Sequence, residues 1–196
     1  MGRVYLLGGT SNAGKSTSAS AIAALRGLEC IEADGLRVQR QMLLPRTDAL
    51  NYFADCRWLD QPPENSLDHK TEVARRTCAD VLDEFVRSIL SSERDVLLEG
   101  DDLLPDFVEG WLRAGAAGAA FLVETDPEVI RSRYRDRDRT CCLRGDPELL
   151  DRFIPHYLGW VRWLADEAHA SGLALVDARG GQPMAPVASA LGLASI

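Results

Sequence analysis

The chain has 196 residues and a formal net charge of −8 at pH 7, and 46% of its residues are hydrophobic. That share of apolar side chains is enough to bury a core, which argues against a disordered chain. The acidic balance argues against a nucleic-acid partner, because an acidic surface repels a phosphate backbone.

The cysteines and the apolar runs indicate the cellular compartment in which we expect the protein. Five cysteines stand at irregular spacing without a C-x-x-C pair, so they predict neither a disulfide framework nor a zinc site. They are typical of free thiols in a reducing cytosol. The sequence has no apolar run of about 18 residues, the length of a membrane span, and no signal-peptide pattern at its start. We therefore expect a cytoplasmic protein without a membrane partner.

Short apolar runs alternate with longer amphipathic segments along the chain. The first run, residues 4–7, ends in Gly8-Gly9 and predicts a strand. We predict the other strands at residues 30–34, 96–98, 119–123 and 173–176. Helices are predicted at residues 16–26, 36–44, 71–90, 105–113, from 127 onward, 147–170 and 186–191.

The strands are continuous apolar runs rather than alternating ones, which is the pattern of a parallel sheet covered on both faces. We therefore predict an α/β fold, a five-stranded doubly wound parallel sheet with helices on both faces. Residues 1–196 would form one domain. Residues 45–67 are irregular and contain Pro45, Pro62 and Pro63, and we predict a variable substrate region at about residues 45–70.

The strongest motif follows the first strand. Residues 9–16 fit G-x-x-x-x-G-K-[ST], a P-loop, between a predicted strand and a predicted helix. A chance match is expected in about one in a thousand chains of this composition. The residues predicted to bind nucleotide phosphates are Gly9, Thr10, Asn12, Ala13, Gly14, Lys15, Ser16 and Thr17. Lys15 would reach the β- and γ-phosphates, and the Ser16 hydroxyl would ligate Mg²⁺.

Other features narrow the kind of P-loop protein. Neither of the two lysines stands in the N-K-x-D guanine motif of GTPases, and no D-x-x-G follows the third strand. Transport and remodelling ATPases are usually longer and carry additional motifs. The short chain therefore favours a kinase that acts on a small molecule or a nucleotide.

Three segments carry a more specific resemblance: LLGGTSNAGKST, IEADGLRVQRQML and LLEGDDLLP. They resemble the corresponding segments of 2-phosphoglycerate kinase-like proteins, and the first two also resemble those of chloramphenicol phosphotransferase-like kinases. The resemblance covers the first half of the chain and is only at superfamily level after residue 105. It implies a P-loop kinase that uses ATP and Mg²⁺ and phosphorylates a hydroxyl group. It also implies that residues 177–183 lie beside the adenine.

In the similar kinases an aspartate after the second strand faces the acceptor hydroxyl. The resemblance therefore implies that Asp34 orients or deprotonates that hydroxyl, although it could instead cap the following helix. Arg37 follows after about one helical turn and could hold a carboxylate or phosphate of the acceptor, or lie on a solvated helix face. Glu99 is our candidate for the Mg²⁺ site, and Asp101 is predicted to contact substrate, although either acid could serve the metal.

An arginine string runs from residue 131 to residue 139. The resemblance implies a lid at about residues 131–146 whose arginines neutralise the transferring phosphoryl group. Helical spacing separates Arg133 and Arg137 from the other arginines, and we favour these two for the site. A solvated helix with internal Arg–Asp pairs is the alternative. The side chains at 153, 157, 160 and 164 recur at helical spacing and are predicted to pack in the core.

Together these features predict an ATP-dependent kinase that phosphorylates a hydroxyl of a small molecule, as a monomer or homodimer. One alternative is a nucleoside or nucleotide kinase, in which Tyr52, Phe53 and Trp58 would stack on a base. The other is a nucleotide-binding regulator without significant turnover.

Overall fold

The computed structural model describes residues 2–45, 50–51, 56–136, 143, 146–179, 181 and 183–193. Within these residues the chain forms one sheet of five parallel strands in the order β2-β3-β1-β4-β5. The strands are β1 (Val4–Gly9), β2 (Glu29–Glu32), β3 (Val96–Glu99), β4 (Gly118–Val123) and β5 (Ala174–Asp177).

Helices connect the strands and cover the sheet. They are α1 (Lys15–Arg26), α2 (Ala33–Gln41), α3 (Pro63–Thr77), α4 (Asp83–Leu90), α5 (Pro105–Arg113), α6 (Pro127–Asp136), α7 (Pro147–Ala170) and α8 (Met184–Ala190). A 3₁₀ turn at Cys56–Asp60 precedes α3, and a π-helical turn at Cys78–Leu82 joins α3 to α4.

The sheet separates two apolar cores. In β1, Tyr5 and Leu7 belong to the core on one face, which α1 and α8 complete. Val4 and Leu6 belong to the larger core on the other face, with residues of α4, α5 and α7. Because successive side chains of a strand point to opposite faces, an apolar run without polar interruptions is what two covered faces require. The predicted fold class is confirmed.

Several element boundaries differ from the sequence prediction, and two of these differences affect the site. Helix α3 begins at Pro63, whereas we predicted a helix only from residue 71. The first two turns were missed because they bury little apolar surface and show no helical periodicity. Strand β2 ends at Glu32 and α2 begins at once, so Asp34 lies in the first turn of a helix and not at the end of a strand. The N-cap of α2 is Glu32, which rules out the alternative that Asp34 caps this helix.

Helix α7 has a well-defined start. The Asp146 carboxylate accepts a hydrogen bond from the backbone N–H of Glu148 at 2.9 Å, and Pro147 occupies the first turn. Both features are typical of the start of a helix. The carboxylate accepts from a backbone N–H group that the first turn leaves unpaired, and proline has no N–H group to leave unpaired. The cap fixes the position of a helix that, as shown below, contacts the P-loop.

Within the described residues, no helix has both the length and the apolar composition that crossing a bilayer would require.

Candidate active site

The candidate site lies at the carboxyl edge of the sheet. Strand register pairs Leu7 with Glu99 and Glu32 with Glu99, so the ends of β1, β2 and β3 reach the same edge. In parallel α/β sheets ligands bind in the crevice beyond this edge. The predicted P-loop and the predicted acidic residues are therefore brought to one place.

The loop between β1 and α1 has the conformation of an anion cradle. The Thr10 N–H donates to the carbonyl of Leu122 at 2.9 Å, which ties the loop to β4. Gly14 is the N-cap of α1 with φ of 101°, a left-handed conformation that glycine adopts without strain. No side chain caps this helix, so its first N–H groups remain available to an anion, which the positive end of the helix dipole also favours.

Lys15 is buried, with 5% of its side chain exposed, and it lies against the loop. Its ammonium group donates to the Thr10 carbonyl at 2.9 Å and forms an ion pair with Asp101. Burial alone would lower the pKa of Lys15, but Asp101, Glu99 and Asp34 outweigh it and raise that pKa. Lys15 therefore remains a cation at neutral pH.

Asp101 is the partner of Lys15. Burial would raise the pKa of its carboxyl group, but Lys15, Lys70 and the Ser11 hydroxyl outweigh burial and hold the pKa below its usual range. Asp101 is therefore charged at neutral pH, and its interaction with Lys15 joins β3 to the P-loop.

The pKa of Asp34 is raised to about 7. Burial is the largest cause, and the negative charges of Asp101 and Asp102 add to it, whereas Arg37 and Lys15 oppose it. The close approach of the two segments explains the crowding, because a Cβ on Gly100 would lie 2.6 Å from the Cβ of Ala33. A carboxylate with a pKa near the working pH can accept and release a proton.

Glu99 and Ser16 form the candidate metal site. Glu99 is 3% exposed, and burial raises its pKa, while Lys15 and a hydrogen bond from the Ser16 hydroxyl lower it. A hydroxyl and a carboxylate beside a phosphate cradle are the oxygen donors that Mg²⁺ prefers. The donor set therefore fits Mg²⁺ bound together with a nucleotide.

Arg37 is engaged by acids of its own chain. Its Nε lies 2.5 Å from Oδ2 of Asp102, and another of its nitrogens lies 3.9 Å from Asp34. The alternative of a solvated helix face does not describe it, since its side chain is only 21% exposed. Its predicted contact with an acceptor stays a prediction, and any acceptor anion would compete with Asp102.

Helix α6 separates its arginines as the helical spacing predicts. Arg133 donates to the Asn12 carbonyl of the P-loop at 2.8 Å and lies 3.3 Å from the buried Glu124. Arg131 instead pairs with Glu128 at 3.0 Å and with Asp151 at 2.7 Å, away from the loop. Arg137 lies outside the described residues, as do residues 138–142, 144 and 145 of the predicted lid, so their roles stay predictions.

Tyr157 is a site residue that the sequence analysis assigned only to the core. Its hydroxyl lies 2.6 Å from the Thr10 hydroxyl and 2.9 Å from the Ser11 carbonyl oxygen. Its ring does pack in the core, as the helical spacing predicted. Nothing local to residue 157 indicates the contact with a loop 146 residues earlier in the chain, except that a buried tyrosine needs a hydrogen-bond partner for its hydroxyl.

We expect Tyr157→Phe to weaken the binding of a non-hydrolysable ATP analogue about 3- to 10-fold, because it removes one neutral hydrogen-bonding group that holds the loop. The ring and its packing are retained, so the melting temperature should change little. Titration calorimetry measures the Kd. Tyr5→Phe is the matched control, since the Tyr5 hydroxyl interacts with Arg3 and not with the loop. An unchanged Kd in Tyr157→Phe would contradict this role.

These groups line one cavity of about 580 Å³, within the usual range of about 300–1,000 Å³ for ligand sites. Its walls include the P-loop with Lys15 and Ser16, the acids Asp34, Glu99 and Asp101, and Arg133. Gly181 and Pro183, from the segment predicted to lie beside the adenine, line it too. The described candidates that do not line this cavity are Gly9, Thr10, Ala13 and Arg37; the others are grouped around one space large enough for a nucleotide.

The parallel sheet and the glycine-rich loop that begins a helix define the P-loop NTPase fold. Solved structures with this fold include two shikimate kinases. The enzyme from Acinetobacter baumannii, in complex with shikimate, superposes with a TM-score of 0.56 at 16% identity, over 98% of this chain and 93% of that one. The enzyme from Bacteroides thetaiotaomicron gives a TM-score of 0.54 at 18% identity, over 90% of this chain and 86% of that one.

No protein-family model and no curated protein matches the chain. The structural neighbours establish the fold. The finer resemblance to 2-phosphoglycerate kinase-like proteins stays a prediction.

Proposed function

We propose that the protein is an ATP-dependent kinase that transfers the γ-phosphoryl group to a hydroxyl of a small molecule. The observation that carries the proposal is the common cavity, in which a P-loop lysine faces the buried Glu99 and the partly buried Asp34 and Asp101. One of these, Asp34, has a pKa of about 7. Phosphate-binding groups beside a titratable acid are what phosphoryl transfer to a hydroxyl requires. The fold shared with shikimate kinases of similar length supports the proposal.

The P-loop residues would hold the phosphates of ATP. Backbone N–H groups at the start of α1 would bind the phosphate oxygens, and Lys15 would exchange its contact with Asp101 for the β- and γ-phosphates. Ser16 and Glu99 would hold Mg²⁺, which when bound neutralises charge on the phosphates.

Asp34 would receive the acceptor proton. The acceptor oxygen forms a bond to the γ-phosphorus, the bond from that phosphorus to the oxygen bridging to the β-phosphate breaks, and ADP leaves with the electron pair. The hydroxyl proton passes to the Asp34 carboxylate, whose pKa of about 7 suits both accepting the proton and releasing it to solvent.

Arginines of the predicted lid would stabilise the transferring group. Arg133 already reaches the carbonyl of Asn12, so a small rearrangement of its guanidinium would bring it to the phosphates. Arg137 follows four residues later in the sequence and is our second candidate.

ADP release with MgATP tests the proposal across hydroxy acids, phosphorylated hydroxy acids, sugars, aminoglycosides, chloramphenicol and nucleosides. The resemblance to 2-phosphoglycerate kinase-like proteins is the reason for the phosphorylated hydroxy acids. We expect at least one non-nucleoside acceptor to raise turnover, and Lys15→Ala to abolish that increase. Turnover with nucleosides alone would support the nucleoside kinase instead. ATP binding without any acceptor response would favour the regulator. A cytoplasmic location and a monomeric or homodimeric state remain predictions.

A further inference from the structure

A second cavity lies beside the nucleotide cavity. It has a volume of about 190 Å³, and Ser11 of the P-loop and Asp101 after β3 line both cavities. The two spaces therefore adjoin at the point where Lys15 meets Asp101. A ligand in the second cavity would lie next to the phosphate cradle without occupying it.

The walls of this second cavity are mostly aromatic. They include Trp58 of the 3₁₀ turn, Tyr134 of α6, and Phe153, Tyr157 and Trp160 of α7. The rings contact one another edge-on or tilted, as in the pair of Trp58 and Phe153 with centroids 6.1 Å apart. Trp58 also meets the His156 ring edge-on at 5.4 Å. Its predicted role in stacking a base stays a prediction, and Tyr52 and Phe53 lie outside the described residues. Such walls favour a compact carbon skeleton.

The cavity also carries a positive charge. Lys70 of α3 lines it, with its ammonium group 4.5 Å from the centroid of the Trp160 ring. Lys15 and Lys70 are the two lysines of the chain, against 20 arginines, and both act electrostatically on Asp101. Asp101 thus interacts with two cations, of which Lys70 lines the second cavity.

The remaining titratable group of the cavity does not cancel this charge. His156 forms a hydrogen bond with Ser66, and burial, together with the charge of Arg152, lowers its pKa, although Glu64 opposes this. The imidazole is therefore neutral at neutral pH. Among the residues that line the cavity, Lys70 is therefore the cation that can attract an anion, and that anion would compete with Asp101.

We propose that this second cavity is the acceptor site and that it selects a small hydroxylated compound with a compact apolar skeleton and one carboxylate or phosphate group, which Lys70 binds. Calling this cavity the acceptor site rests on the proposed kinase function, but the binding site itself is argued from its own geometry. A volume of about 190 Å³ is below the usual range of about 300–1,000 Å³ for drug-sized ligands, so the site disfavours a nucleotide as acceptor. Lys70 would bind this anion at a point apart from Arg37, which pairs with Asp102 and is not among the residues that line either cavity.

The test uses four probes that share one ring and differ in charge: benzoate, phenyl phosphate, benzyl alcohol and benzylamine. Ligand-observed NMR measures their binding to the full chain without nucleotide. We expect benzoate or phenyl phosphate to bind at least about tenfold more tightly than the alcohol, and benzylamine to bind most weakly. The difference between benzoate and phenyl phosphate shows which anion the site prefers. Equal binding of all four probes, or preferred binding of benzylamine, would overturn the proposal.

Variants locate the binding. Lys70→Met should raise the Kd of the anionic probe about tenfold or more, and Arg75→Met should leave it unchanged. Arg75 is the matched control, because it lies on the same helix, is 49% exposed and pairs with Asp106 outside the cavity. Equal weakening by both variants would indicate a general charge effect and overturn the assignment. If Lys70→Met fails to fold, the ranking of the four probes on the wild-type protein still decides the charge preference.

Competition separates this site from the nucleotide site. A saturating non-hydrolysable ATP analogue with Mg²⁺ should leave the probe bound, whereas displacement would place the probe on the P-loop and overturn the proposal. An anion that binds here while every acceptor assay fails would contradict the kinase and leave the site standing. Acceptor turnover whose KM is unchanged in Lys70→Met would contradict the site and leave the kinase standing.

Discussion

Lys15→Ala is expected to lower acceptor-dependent ADP release by at least about 10²–10³-fold, the usual cost of removing one strong electrostatic contact to a transition state. The ammonium group is buried at the loop and is kept charged by Asp101, Glu99 and Asp34, so no solvent cation can replace it. Its removal also leaves the charge of Asp101 next to the phosphates without its nearest counterion. We therefore expect weaker binding of MgATP as well as slower transfer.

Steady-state kinetics and titration calorimetry with a non-hydrolysable ATP analogue check this expectation. Arg113→Met is the matched control, because Arg113 is 67% exposed and pairs with Glu109 on α5, away from both cavities. A Lys15→Ala protein that keeps turnover within about tenfold of wild type would contradict the role of the P-loop lysine. Equal losses in Lys15→Ala and Arg113→Met would point to destabilisation instead.

Asp34→Asn is expected to lower turnover by about 10²–10⁴-fold while the Kd for MgATP changes little. In the wild type, kcat/KM for the acceptor should fall as the pH drops below about 7, because the carboxylate must be deprotonated to accept a proton. The asparagine variant should lose this dependence on pH. Turnover that stays within a factor of about three of the wild type would exclude Asp34 as the base.

The same substitution should stabilise the protein at high pH. The pKa of Asp34 is raised in the folded state, so the folded form binds the proton more tightly than the unfolded form does. The stabilisation from this group is fully present below a pH of about 4, which is the pKa of an aspartate in the unfolded chain. It is lost as the pH rises to about 7. Asp34→Asn should therefore raise the free energy of unfolding by on the order of 2–4 kcal/mol above pH 7.

Urea unfolding at pH 8 and at pH 4 measures that difference. The gain should be present at pH 8 and absent at pH 4. A variant that is both inactive and more stable at pH 8 would show that the Asp34 carboxylate is needed for activity although it destabilises the folded protein. A variant that is inactive and less stable would show that Asp34 supports the fold, and the loss of activity would then say nothing about a base.

The nucleotide half of the site could be predicted from the sequence because it is local. One loop between a strand and a helix holds the glycines, Lys15 and Ser16, so their spacing alone indicates their chemistry. Glu99 and Asp101 were predicted for a related reason, since they end a buried strand and parallel strands end at a common edge. The separation of Arg133 from Arg131 followed from helical periodicity.

The second cavity, the proposed acceptor site, could not be predicted because it depends on contacts between distant segments. Lys70 and Ser66 lie on two turns of α3 that show no apolar periodicity, so the helix was predicted to begin only at residue 71. Tyr157 stands on α7 in a pattern that periodicity explains completely as core packing, and His156 lies outside that pattern. The engagement of Arg37 by Asp102 depends on how closely Gly100 approaches α2, which no local pattern encodes.

Tyr157 belongs to both halves of the site. Its hydroxyl is within hydrogen-bond reach of Thr10 and Ser11 in the phosphate loop, and its ring forms part of the aromatic wall of the second cavity. If both cavities bind ligands as proposed, a ligand that restricts this ring would restrict the loop as well, and the two binding events would be thermodynamically linked through one side chain. The factor by which one ligand changes the affinity of the other must then be the same in either direction. The order in which the two substrates enter would not change the affinity of the final ternary complex.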